Sequence, residues 1–150
     1  MQGHTEVARQ DETTLREKVD RFESILAQAP QLFIPIEHTL HGGLYIRMAT
    51  IPAGAYLTGA ACRRDHVCAV MGDIDVTTDE GPRRLLGLNF LRVRAGMKRA
   101  GRALTDTRWA LIVRTDATTV EDAEADLVEH PEQLQSRLVI DAPAAATLEA

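Results

Sequence analysis

Two thiols and an imidazole crowd one short stretch of this 150-residue chain: Cys62, His66 and Cys68, with Asp65 beside the histidine. In an extended segment side chains alternate, so positions 62, 66 and 68 fall on one face. Thiolate and imidazole together suit a divalent transition metal (Zn, Fe, Ni or Mn). His38 is a further candidate ligand if the chain folds back, and His41 lies two residues beyond Thr39 in the same turn region. The alternative is structural: a free cysteine is most often a small buried hydrophobe, and a core imidazole needs only hydrogen-bond partners. Asp65 would orient His66 only from the same face, and neighbours on a strand point to opposite faces, so we expect it in solvent.

Tyr45, Arg47, Arg99 and Trp109 form a second constellation. Arginines pointing inward would present bidentate forks to a carboxylate or phosphate, with an aromatic ring as a wall. Trp109 also shares a strand face with Leu111 and Val113, which makes core packing the stronger expectation for it.

These residues need a scaffold. Thr14-x-x-Glu17 fits a capping box, and Leu15, Val19, Phe22, Ile25 and Leu26 make one helical stripe ended by Pro30. The stripe needs a partner surface, either a sheet or another copy of the chain. Residues 1–12 read as a loose tail. From position 32 the helical period disappears. Short strands are expected at 32–34, 44–51, 56–59, 66–71, 74–77, 84–88, 89–93 and 108–113, broken by Gly- and Pro-containing turns such as Gly72-Asp73. Residues 67–76 thus read as a hairpin. In the strand over 44–51, Leu44, Ile46 and Met48 share one face, and Tyr45 and Arg47 the other. A last helix starts at Thr118 with Glu121 in its first turn and carries Val120, Ala123, Leu127 and Val128. A further helical turn follows Pro131. The low-complexity end is expected to be disordered.

Strands at this spacing point to an antiparallel sandwich or barrel. The chain divides into a tail and helix over residues 1–31, a barrel over 32–115, an acidic helix over 116–137 and a tail over 138–150, all one domain.

The net charge of −5 argues against general nucleic-acid binding, and no apolar run approaches the ~20 residues that cross a bilayer. The N-terminus lacks a signal-peptide core, and two cysteines make no disulfide framework, so a cytoplasmic setting is expected. Charge is nonetheless segregated. Residues 83–108 carry eight basic side chains against the single acid Asp106, whereas 116–135 carry seven acids and no Lys or Arg. We expect the acidic segment to pack beside the basic one, within the chain or across a dimer. The alternative is an anion-binding face.

From Gly54 onward the chain resembles the cupins, whose first motif runs Gly, five residues, His-x-His, three or four residues, Glu, six residues, Gly. Here the two His positions fall on Ala60 and Cys62, the Glu position on His66 or Val67, and Gly72 arrives slightly early. The second motif, Pro-x-Gly, two residues, His, meets Arg94, Gly96 and Arg99. The framing PxEHxxxxGLYxRxxxIPAG also resembles small cupin-like proteins of tailed phages and prophages, and the resemblance spans roughly residues 32–114.

The resemblance implies an all-β double-stranded β-helix barrel, jelly-roll-like, here with an N-terminal and a C-terminal helix. It implies a small-molecule or metal-binding module; only Cys62 and His66 match ligand slots, and Arg99 stands where a third ligand would be. Cys62, His66 and His38 are then the metal candidates, and Arg47, Arg99, Tyr45 and Trp109 would bind a small anionic ligand. Two alternatives stand beside it: a structural or accessory protein such as a phage particle component, which would be virion-associated, and a metal-dependent oxygenase or isomerase. A homo-oligomer is expected, since an apolar helix stripe plus complementary charge blocks is material for a two-fold interface.

Overall fold

The computed structural model describes the backbone of residues 3–78 and 80–134, and side chains from residue 15. Helix α1 spans Gly3–Leu26, beginning well before the Thr14 box. Strands β1 (Ile36–His41), β2 (Leu44–Ile51), β3 (Tyr56–Thr58), β4 (His66–Thr78), β5 (Gly81–Val93), β6 (Ala100–Ala103) and β7 (Thr107–Arg114) follow. Helix α2 (Val120–Leu127) and a 3₁₀ turn (Pro131–Gln133) complete the described part. The C-terminal tail expected over 138–150 lies outside it.

All seven strands join one antiparallel sheet, in the order β1-β2-β7-β4-β6-β3, with β5 on the other side of β4. This sheet, with a helix at each end of the described chain, is the all-β antiparallel architecture that the strand and turn spacing implied. It is one continuous sheet because β4 serves both halves. One edge of β4 pairs with β7 over Val67–Met71 and with β6 over Ile74–Val76, while its other edge follows β5 throughout.

Gly72 therefore lies inside a strand, where a hairpin turn was expected. Its φ is +150°, and a side chain there would meet the Thr107 backbone, its Cβ 2.8 Å from Thr107 Cα. The residue is a corner at which two strands approach closely, a use of glycine that sequence pattern reads as a turn. Gly87, with φ +75°, likewise lies within β5 and does not end it. No strand forms over residues 32–34, although Ile34 is buried; the first strand starts after Pro35.

The core sits inside the curl, where Ile51, Val70, Ile74, Leu85 and Leu127 are among the fully buried side chains. Each is worth about 1.5–3 kcal/mol of burial. On β2 the buried face carries Tyr45, Arg47, Ala49 and Ile51, and Leu44, Ile46 and Met48 point outward. The α1 stripe packs on the outside of the sheet over β3: Val19 is buried, Phe22 meets Tyr56 edge-on at 6.2 Å, and Thr58 Oγ1 donates to Glu23 at 2.9 Å.

Candidate functional site

The inner wall of the curl brings Tyr45 and Arg47 of β2 together with Cys68 of β4 and Trp109 and Leu111 of β7. The strand register sets this: Arg47 pairs with Leu111, which pairs with Cys68. Tyr45 is fully buried, and its hydroxyl lies 2.7 Å from His38 Nδ1, the two rings stacked with centroids 5.9 Å apart. His38 thus braces the tyrosine from β1.

Helix α2 closes the interior. Thr119 caps it by accepting from the Asp122 amide, one residue later than the Thr118 box. Two backbone hydrogen bonds, which together make an isolated antiparallel bridge between Cys62 and Val128, fasten its far end to the segment before β4: Arg63 N donates to Leu127 O, and Glu129 N donates to Ala61 O. The docked helix inserts Glu124 among the core side chains. Arg47 Nε donates to Glu124 Oε2 at 3.3 Å, with the two residues only 6 % and 4 % exposed. Glu124 was not among the residues the sequence singled out. The signal was present, because it sits four residues after Val120 and three before Leu127, inside the helix's apolar stripe.

The remaining candidates occupy the surroundings. Trp109 is buried and belongs to the core cluster. Arg99, with Trp109, lines a cavity of about 20 Å³, room for little more than one water. Its charge, together with burial as the larger cause, holds the His66 imidazole below its ordinary pKa. His66 Nδ1 lies 3.0 Å from the Arg64 carbonyl. Asp65 is exposed and accepts from the Ala95 amide at 2.8 Å.

Burial pushes the Cys62 thiol up to about 12, with Cys68 adding to it, and pushes Cys68 up to about 11. Both therefore carry their protons at neutral pH in the metal-free protein. Among the described residues no three His, Cys, Asp or Glu side chains stand together so as to hold a metal ion. Cys62, His66 and His38 do not form such a group of three.

The charge blocks find partners, although not simply each other. The acidic segment reaches Arg47, Arg64 (to Asp126 at 2.7 Å) and Arg16 (to Glu129 at 3.1 Å). Lys98 of the basic block instead reaches Asp20 and Glu23 on α1, at 2.7 and 2.9 Å. No helix among the described residues is long and apolar enough to cross a membrane.

No family model and no curated protein matches this chain. Solved structures do. A cupin superfamily protein from Desulfitobacterium hafniense is 15 % identical with TM-score 0.47, over 59 % of this chain and 84 % of that one. KdgF from a Halomonas species is 18 % identical with TM-score 0.47, over 57 % and 81 %. A cupin 2 conserved barrel domain protein from Leptotrichia buccalis is 11 % identical with TM-score 0.48, over 79 % and 52 %.

Proposed function

We propose that this chain is a small-molecule-binding module whose ligand is a small organic anion read by Arg47, with the Glu124 carboxylate occupying that position when no ligand is bound. The observation that carries the reading is the Arg47–Glu124 pair inside an otherwise apolar interior. Burying two charges costs several kcal/mol per ion, and well-packed apolar residues would serve stability as well or better. An ion pair kept there fits recognition of a carboxylate better than it fits stability alone. Tyr45, braced by His38, supplies a neutral donor and an aromatic wall beside the guanidinium. Arg99 lines a small cavity with Trp109 that Arg47 and Tyr45 do not line.

Access requires α2 to move, because Arg47 and the Glu124 carboxylate that faces it are both buried. The helix is only eight residues long, and its backbone is fastened to the rest of the chain at its C-terminal end. A structural or accessory role is the second reading, favoured by the same backbone contacts, since a permanently fastened α2 would make the barrel a rigid body. Calorimetric titration of the purified protein with acetate, succinate and citrate separates the two. Saturable binding that Arg47→Gln abolishes supports the first reading, and absence of heat with all three supports the second.

A further inference from the structure

The apolar residues of β2 that point away from the core continue across the sheet. Next to Ile46 and Met48 the register places Ile112 and Ala110 of β7, then Val67 and Ala69 of β4. Met71 of β4 and Leu86, Leu88 and Phe90 of β5 complete the face. Leu86 and Phe90 are each 68 % exposed and Leu88 54 %. Over residues 67–71 (VCAVM) and 85–91 (LLGLNFL) the sequence lacks the apolar–polar alternation of a half-solvated strand and reads as strand buried on both faces. The inner face meets the core, but no described residue covers the outer one.

Two segments of the chain are poor covers. Helix α1 is engaged over β3 through Val19, Phe22 and Glu23. The sixteen residues after Leu134 contain four large apolar side chains, Leu138, Val139, Ile140 and Leu148, too few for a face spanning four strands. Four strands at ~4.8 Å and the ~27 Å between Arg84 and Arg92 give a plan area on the order of 500 Å². Protruding side chains and the rim raise this toward the roughly 800 Å² per partner of a standard interface. The rim carries both signs, Arg92, Arg108 and Arg114 against Glu37 and Asp75, all exposed. A mixed rim is poorly matched to an anionic bilayer and suits a surface with the same mixture. At the centre Ala69 lies opposite Ala110, two small residues that let a second sheet approach to the ~10 Å of a sandwich.

We infer that the outer face of β2, β7, β4 and β5 is a homodimer interface, on which a second copy of this chain packs sheet against sheet about a two-fold axis. It is independent of what the barrel interior binds. Of the features from which self-association was expected, the α1 stripe is engaged within the chain through Val19 and Phe22, and the acidic segment through Glu124, Asp126 and Glu129.

The experiment is sedimentation velocity of the full chain from low to high micromolar concentration, for the wild type, Leu88→Arg, Phe90→Glu and an Ile25→Glu control on the exposed side of α1. A wild-type dimer that both β5 substitutions reduce to monomer, while the control stays dimeric, is the expected result. A photo-crosslinking phenylalanine analogue at position 90 should also trap a covalent dimer, a readout that does not depend on a disruptive variant folding. A wild type monomeric throughout, a dimer that survives both substitutions, failure of position 90 to crosslink, or a monomer that instead co-sediments with anionic vesicles would each overturn the inference.

Discussion

Arg47 and Glu124 stand 77 positions apart in the chain, on β2 and α2, yet meet 3.3 Å apart inside the barrel with almost no exposure. The sheet supplies the guanidinium, the acidic helix supplies the carboxylate, and closure of the interior depends on their meeting. Removing one partner leaves an uncompensated buried charge, whereas removing both does not. Glu124→Leu and Arg47→Met should each cost about 3–5 kcal/mol in urea denaturation, and the double variant should recover most of that. Strictly additive losses would mean that the pair is not the unit described.

His66 gives the fold a pH dependence on the acid side. Its folded-state pKa is lowered from 6.5 by burial first and by Arg99 after it. The unfolded chain therefore takes up a proton before the folded one does. The contribution is fully present above 6.5 and declines as pH falls from there toward the lowered value. His66→Asn should flatten that part of a stability-versus-pH curve measured by chemical denaturation. An unchanged slope would remove His66 as its source.

The thiols act at the other end of the scale. Folding raises Cys62 from 9.0 to about 12 and Cys68 from 9.0 to about 11, so the folded state holds protons that the unfolded state releases. Stability should fall as pH rises above 9. At pH 8 a chromogenic disulfide reagent should modify both cysteines at least about tenfold more slowly in native protein than in denaturant. Equal rates would show that the thiols are accessible.

Gly72 is the corner at which β4 exchanges β7 for β6. Gly72→Ala combines a backbone angle that L-residues rarely adopt with a contact against Thr107 Cα. The expected cost is about 2–3 kcal/mol. Thr107→Ala should not relieve it, because the obstruction includes backbone.

Acid should loosen the same corner. Arg84 grips Asp73 through Nε and Nη2 at 2.8 and 2.6 Å, and this hydrogen bonding holds the Asp73 carboxyl below its ordinary range. Its contribution is present above the ordinary carboxylate pKa and is lost as pH falls through the lowered one. Arg84→Gln should remove that component of acid unfolding followed by circular dichroism.

Much of this architecture was legible before any coordinates. Strand β2, α2, the turn after Pro131 and the all-β class follow from period and punctuation. The breaks placed inside strands share one cause, glycines read as turns. Gly72 and Gly87 lie within long strands, one where backbones nearly touch and one at a positive φ, and local sequence does not distinguish such uses from a turn. Strand β6 was missed because Ala100–Ala103 has no β-branched or aromatic residue and is strand only through its neighbours β3 and β4. At the site, Tyr45 and Arg47 were legible as neighbours on one strand face, although the pattern did not say that this face is the inner one. Glu124 left a signal, a charge inside an apolar helical stripe, but its pairing with Arg47, 77 positions away, left none.

The most direct test of the central claim is the thermal unfolding midpoint of Glu124→Gln beside wild type, with and without millimolar acetate or succinate. If Glu124 fills an anion site on Arg47, the variant should be less stable than wild type without additive, and the carboxylate should raise its midpoint more than that of wild type. Equal responses, or none in either protein, would contradict the account and leave the buried pair as a fastening for α2.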